Sequence, residues 1–98
     1  MNITKLKNGN TMSVSVEGRL DTATAPEFEN SVKPELDGIS ELNIDFSGLN
    51  YISSAGLRVL LSLQKTMSKQ GSMKLTGVDD TVNEIFEVTG FTDILTIE

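Results

Sequence analysis

Hydrophobic and polar residues alternate near the start of the chain, as they do in strands that have one covered face. The segments NITKLK and TMSVSVEG both keep this period of two. Asn8-Gly9-Asn10 between them tolerates the positive φ of a tight turn. The pattern predicts an N-terminal hairpin of two half-buried strands.

Helical signals follow the hairpin in the segment ATAPEFENSVKPEL. Thr22 or Thr24 is suited to cap a helix and Pro26 to its first turn, so we expect the helix to begin near Ala25. Pro34 lacks an amide hydrogen and clashes with the carbonyl four residues earlier, so the helix should kink or end close to it.

A second alternating segment, ELNIDF, predicts a strand. Leu42, Ile44 and Phe46 are its apolar positions, and polar residues stand between them. The residues that follow, Ser47-Gly48-Leu49-Asn50, are typical of a connection. We therefore expect them to form the loop that leaves this strand.

The segment from Ser54 to Gln70 has the clearest helical pattern. Its polar residues recur at intervals of three and four positions, and apolar residues occupy the remaining face. The polar positions are Arg58, Ser62, Lys65 and Lys69, and the apolar ones are Leu57, Leu60, Leu61, Leu63 and Met67. Gly71 follows where a glycine commonly ends a helix.

The last part of the chain predicts one short strand and one further helix. SMKLTGV alternates briefly, and Asp79 or Asp80 then caps a helix that should end at Gly90. The apolar stripe of this helix consists of Val82, Ile85, Phe86 and Val88 or Thr89. The closing FTDILTIE indicates a last short strand or an extended tail.

Strands that alternate with helices indicate an α/β fold. The predicted order is β-β-α-β-α-β-α with a possible final β, and crossover helices favour a small, mainly parallel or mixed sheet flanked by helices. The chain has 98 residues and no linker, repeat or low-complexity tract. We therefore expect residues 1–98 to form a single domain.

The charge of the chain limits its partners. The formal net charge is −6 and Lys and Arg form no basic run, so we expect no nucleic-acid partner. No apolar run is long enough to span a bilayer, and the N-terminus lacks the apolar core of a signal peptide, so we expect no membrane insertion. The absence of Cys is compatible with a cytoplasmic location.

Several catalytic and cofactor sites are excluded by residues that the chain lacks. Without histidine a Ser-His-Asp triad cannot form, and the usual metal ligand is missing. Ser47-Gly48 followed by Gly56 has neither the spacing nor the lysine of a phosphate-binding loop. These absences exclude a conventional hydrolase site, and we expect no cofactor and no metal.

Two adjacent hydroxyls, Ser53 and Ser54, lie between the strand-like and helix-like parts of YISSAGL. A serine in this place often caps the helix by accepting a hydrogen bond from an unpaired amide. The same amides and the positive end of the helix dipole also favour a negative group, such as a phosphate on serine. The local pattern favours capping and leaves both roles open.

Two stretches of the sequence, DFSGLNYISSAGL and GRLDTATA, resemble the motifs of STAS domains, the anti-sigma factor antagonist family. DFSGLNYISSAGL, residues 45–57, resembles the family signature, and GRLDTATA, residues 18–25, is similar to the family loop Gly-x-Leu-Asp-x-x-Thr-Ala. The motifs occur in the expected order, and the resemblance covers nearly the whole chain. The fold it implies, a small sheet flanked by helices, agrees with the elements predicted above.

The resemblance implies a cytoplasmic switch protein that is not an enzyme. Such a protein binds an anti-sigma factor with serine kinase activity and thereby releases the sigma factor, and a serine phosphatase resets the switch. Ser54 matches the family's phosphoacceptor, and Ser53 is a weaker alternative. Ser53 stands where many members have Asp, and Ala55 where many have a second Ser. The implied partner-binding residues are Asp21, Thr22, Ser53, Ser54, Gly56, Leu57 and Arg58.

Most of these residues also have a plain structural interpretation. Capping or loop bracing would account for Asp21, and tight internal packing for Gly56. Leu57 fits a core position better than an interface, whereas Arg58 could contact an acidic partner or a phosphate. Asp45, at the end of its strand, is expected to brace the loop that follows and not to act as a catalytic acid.

Two other functions remain as alternatives. The same fold could serve as a constitutive adaptor subunit of a membrane transport complex, with Ser53 and Ser54 acting as helix caps. A small enzyme that uses Asp21, Asp45 or the serines is the least favoured, because only polar residues at predicted element ends suggest it.

Overall fold

The predicted hairpin is formed by β1 (Asn2–Asn8) and β2 (Thr11–Leu20) in a computed structural model that describes residues 1–98. The two strands pair antiparallel along the whole of β1. Gly9 lies in the turn with a φ of 63°, which glycine adopts without steric cost. The period of two therefore predicted both strands and their turn.

The remaining elements follow the predicted order β-β-α-β-α-β-α and confirm the α/β fold. They are α1 (Ala25–Val32), β3 (Glu41–Ile52), α2 (Ser54–Gln70), β4 (Ser72–Thr76) and α3 (Asp80–Thr89). Short 3-10 turns follow α1 at Lys33–Glu35 and α3 at Phe91–Asp93. Pro34 lies in the first of these turns, so α1 ends beside the proline as predicted.

The four strands form one mixed sheet in the order β1-β2-β3-β4. β1 is antiparallel to β2, whereas β2, β3 and β4 are parallel. α1 connects β2 to β3 and α2 connects β3 to β4, so each parallel pair forms a crossover unit with its helix. The carboxyl ends of β2 and β3 consequently meet at one edge of the sheet.

The apolar residues of the parallel strands point to one face of the sheet. Val14, Ile44 and Leu75 lie side by side on β2, β3 and β4, and each is at most 1% exposed. The helices cover this face, because their buried side chains join the strands in one cluster of 24 residues. The helix residues in this cluster include Phe28, Leu60 and Phe86.

The opposite face of the sheet carries polar side chains. Ser13 and Asn43 are paired neighbours on this face, and Asp45 lies on it two residues further along β3. Because the buried positions of β2, β3 and β4 all belong to the other face, the predicted helices flank the sheet on one side only.

β1 does not have the half-buried pattern that was predicted for it. Ile3 is its only partly buried residue, and Leu6 is 69% exposed. On the side of the helices, Lys5 and Lys7 extend to Glu35 and do not enter the core. Inward-pointing charges on an edge strand hinder its pairing with another chain, so β1 ends the sheet.

The prediction of an exit loop at Ser47-Gly48-Leu49-Asn50 is wrong, because these residues continue β3. Two register shifts against β2 place extra residues in this part of β3, as in β-bulges. The spacing of the buried positions changes from two residues to three, so Phe46, Leu49 and Ile52 all reach the core. A strict period of two cannot identify such a strand.

α3 begins after Asp79, whose carboxylate accepts a hydrogen bond from the Val82 amide at 2.8 Å. Val82 and Phe86 are buried, but Val88 is 81% exposed, so the apolar stripe is narrower than predicted. The possible final strand is reduced to a single parallel bridge between Leu75 and Ile97. None of the three helices combines the length and apolar composition needed to cross a bilayer.

Gly71 ends α2 where two backbone segments touch. Its amide donates to the Met67 carbonyl at 2.6 Å, and the Ser72 amide donates to the Ser40 carbonyl at 2.9 Å. A Cβ at position 71 would lie 1.8 Å from the Ser40 carbonyl oxygen. Glycine is needed here for space and not for its backbone angle, since a φ of 170° is extended.

We expect Gly71→Ala to lower the free energy of unfolding by about 2 to 3 kcal/mol, because the backbone must move to admit the methyl group. Gly38→Ala is the matched control, since Gly38 has a φ of 81° but no atom within 4 Å of an added Cβ. Backbone strain alone should cost this control about 1 kcal/mol. Urea denaturation measures both losses, and equal losses would contradict the spatial role of Gly71.

Candidate functional site

Ser53 joins β3 to α2. Its amide donates to the Leu20 carbonyl at 2.8 Å, which ties the start of α2 to the end of β2. Ser53 occupies the N-cap position, and its Oγ accepts a hydrogen bond from the Gly56 amide at 3.4 Å. The hydroxyl of Ser53 therefore serves as the helix cap.

Ser54 is the first residue of α2 and is exposed to solvent. Its hydroxyl makes no hydrogen bond to another protein group, in contrast to that of Ser53. No acidic residue lies in the first turn of α2, so no neighbouring carboxylate on this turn neutralises the positive end of the helix dipole. The two adjacent serines thus differ in exposure and in bonding.

Gly56 and Leu57 lie beneath the serines. A Cβ on Gly56 would be 2.8 Å from side-chain carbons of both Leu20 and Ile52. Leu57 is 6% exposed and belongs to the core cluster. Both residues are buried, and the expectation that they contact a partner stays a prediction. They pack the start of α2 against the ends of β2 and β3.

Asp21 closes the loop between β2 and α1 with its carboxylate. Asp21 Oδ1 accepts hydrogen bonds from the amides of Ala23 and Thr24, each at 3.0 Å. The Thr24 amide is the main cause that holds the pKa of Asp21 below its ordinary value, and this group of bonds outweighs the opposing effect of desolvation. Asp21 is therefore ionised and braces its own loop.

Neither threonine of this loop caps α1 through its side chain. Thr24 is at the N-cap position, but its Oγ1 accepts from the Asp21 amide at 2.9 Å and donates to the Arg19 carbonyl at 2.8 Å. The Ala25 amide donates to the Asp21 carbonyl at 2.8 Å. Thr22 is exposed to solvent at the tip of the loop.

Arg19 connects the Asp21 loop to the end of β3, a role that the sequence did not indicate. Its Nε lies 3.7 Å from Asp21 Oδ2, and its guanidinium carbon lies 4.3 Å from the centre of the Tyr51 ring. Arg19 and Tyr51 are paired neighbours on β2 and β3. The only available signal was a basic residue inside the GRLD motif, which does not reveal its cross-strand neighbour.

Arg58 and Asp45 complete the set of residues predicted from the sequence. Arg58 is exposed on α2, one helical turn after Ser54. Asp45 Oδ1 accepts from the Ser47 amide at 2.9 Å, and this bond is the main cause that lowers the pKa of Asp45. Asp45 thus braces β3 itself and not the loop that was predicted, because Ser47 continues the strand.

The residues considered for an enzyme do not form one hydrogen-bonded group. No hydrogen bond connects Asp21 or Asp45 with the hydroxyl of Ser53 or Ser54. No three His, Cys, Asp or Glu residues are placed to hold a metal ion.

The model of the STAS domain family matches residues 2–98, and the chain therefore belongs to this family. The anti-sigma-B factor antagonist of Bacillus subtilis (strain 168) is 30% identical to this chain over 98 residues. The match covers 99% of this chain and 90% of that relative. The predicted family membership is confirmed.

Solved structures share the fold. An anti-sigma factor antagonist from Mycobacterium paratuberculosis has a TM-score of 0.87 at 22% identity, over 98% of this chain and 83% of that chain. The Bacillus cell fate determinant SpoIIAA in its phosphorylated form has a TM-score of 0.76 at 14% identity, over 99% of this chain and 91% of that chain. These likenesses confirm the small mixed sheet with helices.

We expect Ser53→Ala to lower the free energy of unfolding by about 1 kcal/mol, because it removes the helix cap. Ser54→Ala is the matched control and should change it by less than about 0.5 kcal/mol, because its exposed hydroxyl bonds to nothing in the fold. Urea denaturation measures both. A larger loss for Ser54→Ala would reverse the assignment of the two serines.

Asp21 should make stability depend on pH in the acid range. The folded-state pKa of Asp21 lies below the ordinary value of 3.8, so the ionised carboxylate stabilises the fold at pH values above 3.8. This contribution is lost as the pH falls through the folded-state pKa. Asp21→Asn should be less stable than the wild type at neutral pH, with a gap that closes below pH 3.8.

Asp37→Asn is the control for this measurement, because the exposed Asp37 carboxylate takes part in no side-chain hydrogen bond or ion pair. Denaturation curves recorded from about pH 7 to about pH 3 would give the difference in the free energy of unfolding between each variant and the wild type. A gap for Asp21→Asn that stays constant over this range would contradict the role of the ionised carboxylate.

Proposed function

We propose that this STAS domain is an anti-sigma factor antagonist controlled by phosphorylation of Ser54. In the unphosphorylated form it binds an anti-sigma factor that has serine kinase activity, and the sigma factor is released. The kinase phosphorylates Ser54 and the complex separates, after which a serine phosphatase restores the hydroxyl. This exchange takes place in the cytoplasm, where the sigma factor acts.

The observation that carries this proposal is the contrast between two adjacent serines. The Ser53 hydroxyl caps α2, whereas the Ser54 hydroxyl is exposed and bonds to nothing in the fold. A phosphate on Ser54 leaves the cap intact, but a phosphate on Ser53 would alter the group that accepts the Gly56 amide. Ser54 is therefore the preferred acceptor and Ser53 the weaker one.

A phosphate at this position would change the surface and preserve the fold. It adds a charge of about −1.5 to −2 at neutral pH, which the amino end of a helix stabilises. The neighbouring loop already carries the ionised carboxylate of Asp21. The added charge therefore repels an acidic partner and imposes a desolvation cost on an apolar one.

The contact surface of the proposed complex consists of two segments that the fold brings together. Asp21 and Thr22 lie on the β2–α1 loop, and Ser53, Ser54 and Arg58 lie at the start of α2. The bond from the Ser53 amide to the Leu20 carbonyl joins the two segments. In this function the domain supplies a substrate hydroxyl and a docking surface, and the catalytic groups belong to the kinase.

We expect Ser54→Asp to weaken binding to the anti-sigma kinase at least about tenfold, because it fixes a negative charge in the docking surface. Ser54→Ala should bind within about twofold of the wild type, because it changes neither charge nor fold. Isothermal titration calorimetry with the anti-sigma kinase of the same host measures these affinities.

Incubation with ATP and the kinase, followed by intact-mass spectrometry, tests the position of the phosphate. The wild type and Ser53→Ala should each gain a single phosphate, and Ser54→Ala should gain none. Equal affinities of the wild type, Ser54→Asp and Ser54→Ala, together with no phosphate from an active kinase, would overturn the switch and favour the constitutive adaptor.

A further inference from the structure

The basic residues of this acidic chain fall into two groups. Of the eight Lys and Arg residues, four form ion pairs with carboxylates. These pairs are Lys5 and Lys7 with Glu35, Arg19 with Asp21, and Lys74 with Glu98. The other four, Lys33, Arg58, Lys65 and Lys69, form no ion pair and are exposed.

All four unpaired cations line one shallow groove between the end of α1 and the outer face of α2. We call this surface the basic groove and define it by Lys33, Arg58, Lys65 and Lys69. Lys33 reaches across from α1, where its Nζ donates to Ser62 Oγ at 2.6 Å. No carboxylate lines the groove, so its positive charge is not cancelled within the chain.

The helix dipole explains only part of this arrangement. Lys33 follows the last residue of α1 and Lys69 lies in the last turn of α2, where cations are stabilised. Arg58 and Lys65 lie well inside α2, beyond the reach of this effect. The dipole therefore does not account for the alignment of Arg58 and Lys65 with the other two cations.

The basic groove begins one turn from Ser54. Ser54 and Arg58 are four residues apart and share one side of α2, and the groove continues from Arg58 to Lys69. At the rise of an α-helix this distance is about 16 Å, or three turns. The groove and the phosphorylation site thus form one continuous strip along α2.

We propose that the basic groove binds an acidic segment of the same anti-sigma factor that docks at Ser54. This inference rests on the proposed function and adds the chemistry of the partner. Outside the groove the chain has 14 carboxylates and only four cations. The excess of carboxylates repels a long polyanion that extends past the groove. A short acidic segment of a protein matches both the length and the charge of the groove.

This arrangement gives the Ser54 phosphate a second effect. A phosphate on Ser54 lies at the helical spacing that allows it to pair with Arg58. It then competes with the acidic segment for the first cation of the groove and repels that segment at the same time. Release of the partner follows from a change in charge at one end of the strip.

The test compares two double variants that change the net charge by the same amount. Lys65→Glu/Lys69→Glu reverses two cations of the groove, and Lys7→Glu/Lys74→Glu reverses two paired cations elsewhere. Isothermal titration calorimetry with the anti-sigma kinase should show at least about a tenfold loss of affinity for the groove variant and less than about a threefold loss for the control. Circular dichroism checks that both variants are folded, and sedimentation velocity records their oligomeric state.

The possible outcomes test the basic groove and the proposed function separately. Unchanged affinity of the groove variant, or equal losses for both variants, would overturn the basic groove as a specific site, while a retained effect of Ser54→Asp would keep the proposed function. A wild type that binds no anti-sigma factor would overturn both proposals. A wild-type dimer that the groove variant alone abolishes would assign the groove to a second copy of the chain and overturn the inference.

Discussion

The pairing of Leu20 with Ile52, at the last step between β2 and β3, is the contact on which the proposed docking surface depends. It places the Leu20 carbonyl where the Ser53 amide can reach it, and the lack of a side chain on Gly56 lets α2 begin directly above this pair. The Asp21 loop starts one residue after Leu20. A slip in strand register would therefore separate this loop from the start of α2 and dismantle the surface.

Two of the carboxylates and half of the cations differ in the partners that they have within the fold. Asp21 and Asp45 both accept hydrogen bonds from amides two or three residues later, so their carboxylates stabilise the local backbone conformation. Half of the cations, by contrast, have no carboxylate partner and line one surface. Net charge alone hides this division, because an acidic protein can still present a concentrated positive strip to a partner.

The sequence predicted those parts of the fold that repeat or that carry a specific local signal. The helical period of α2 and the proline that ends α1 gave their positions directly. The second half of β3 was missed because two bulges interrupt its period, and the exposure of β1 was missed because alternation does not distinguish an edge strand from a central one.

The site shows the same limit at the scale of single residues. The motif located both serines at the strand-to-helix junction, but the position of the first helical turn decides that Ser53 is the cap and Ser54 is exposed. The contact between Arg19 and Tyr51 depends on strand register, which neither short motif contains. Sequence reasoning therefore selected the candidate residues, and three-dimensional packing separates those that are buried from those that are exposed.

The internal bonding of the Asp21 loop has a consequence for the thermodynamics of association. Amide and hydroxyl groups within the loop already hold its conformation, and the cap at Ser53 holds the neighbouring helix start. A partner that docks here meets a surface that is largely ordered beforehand, so little conformational entropy is lost when the complex forms. Affinity then follows the contacts themselves, and one added charge can alter it without any folding step.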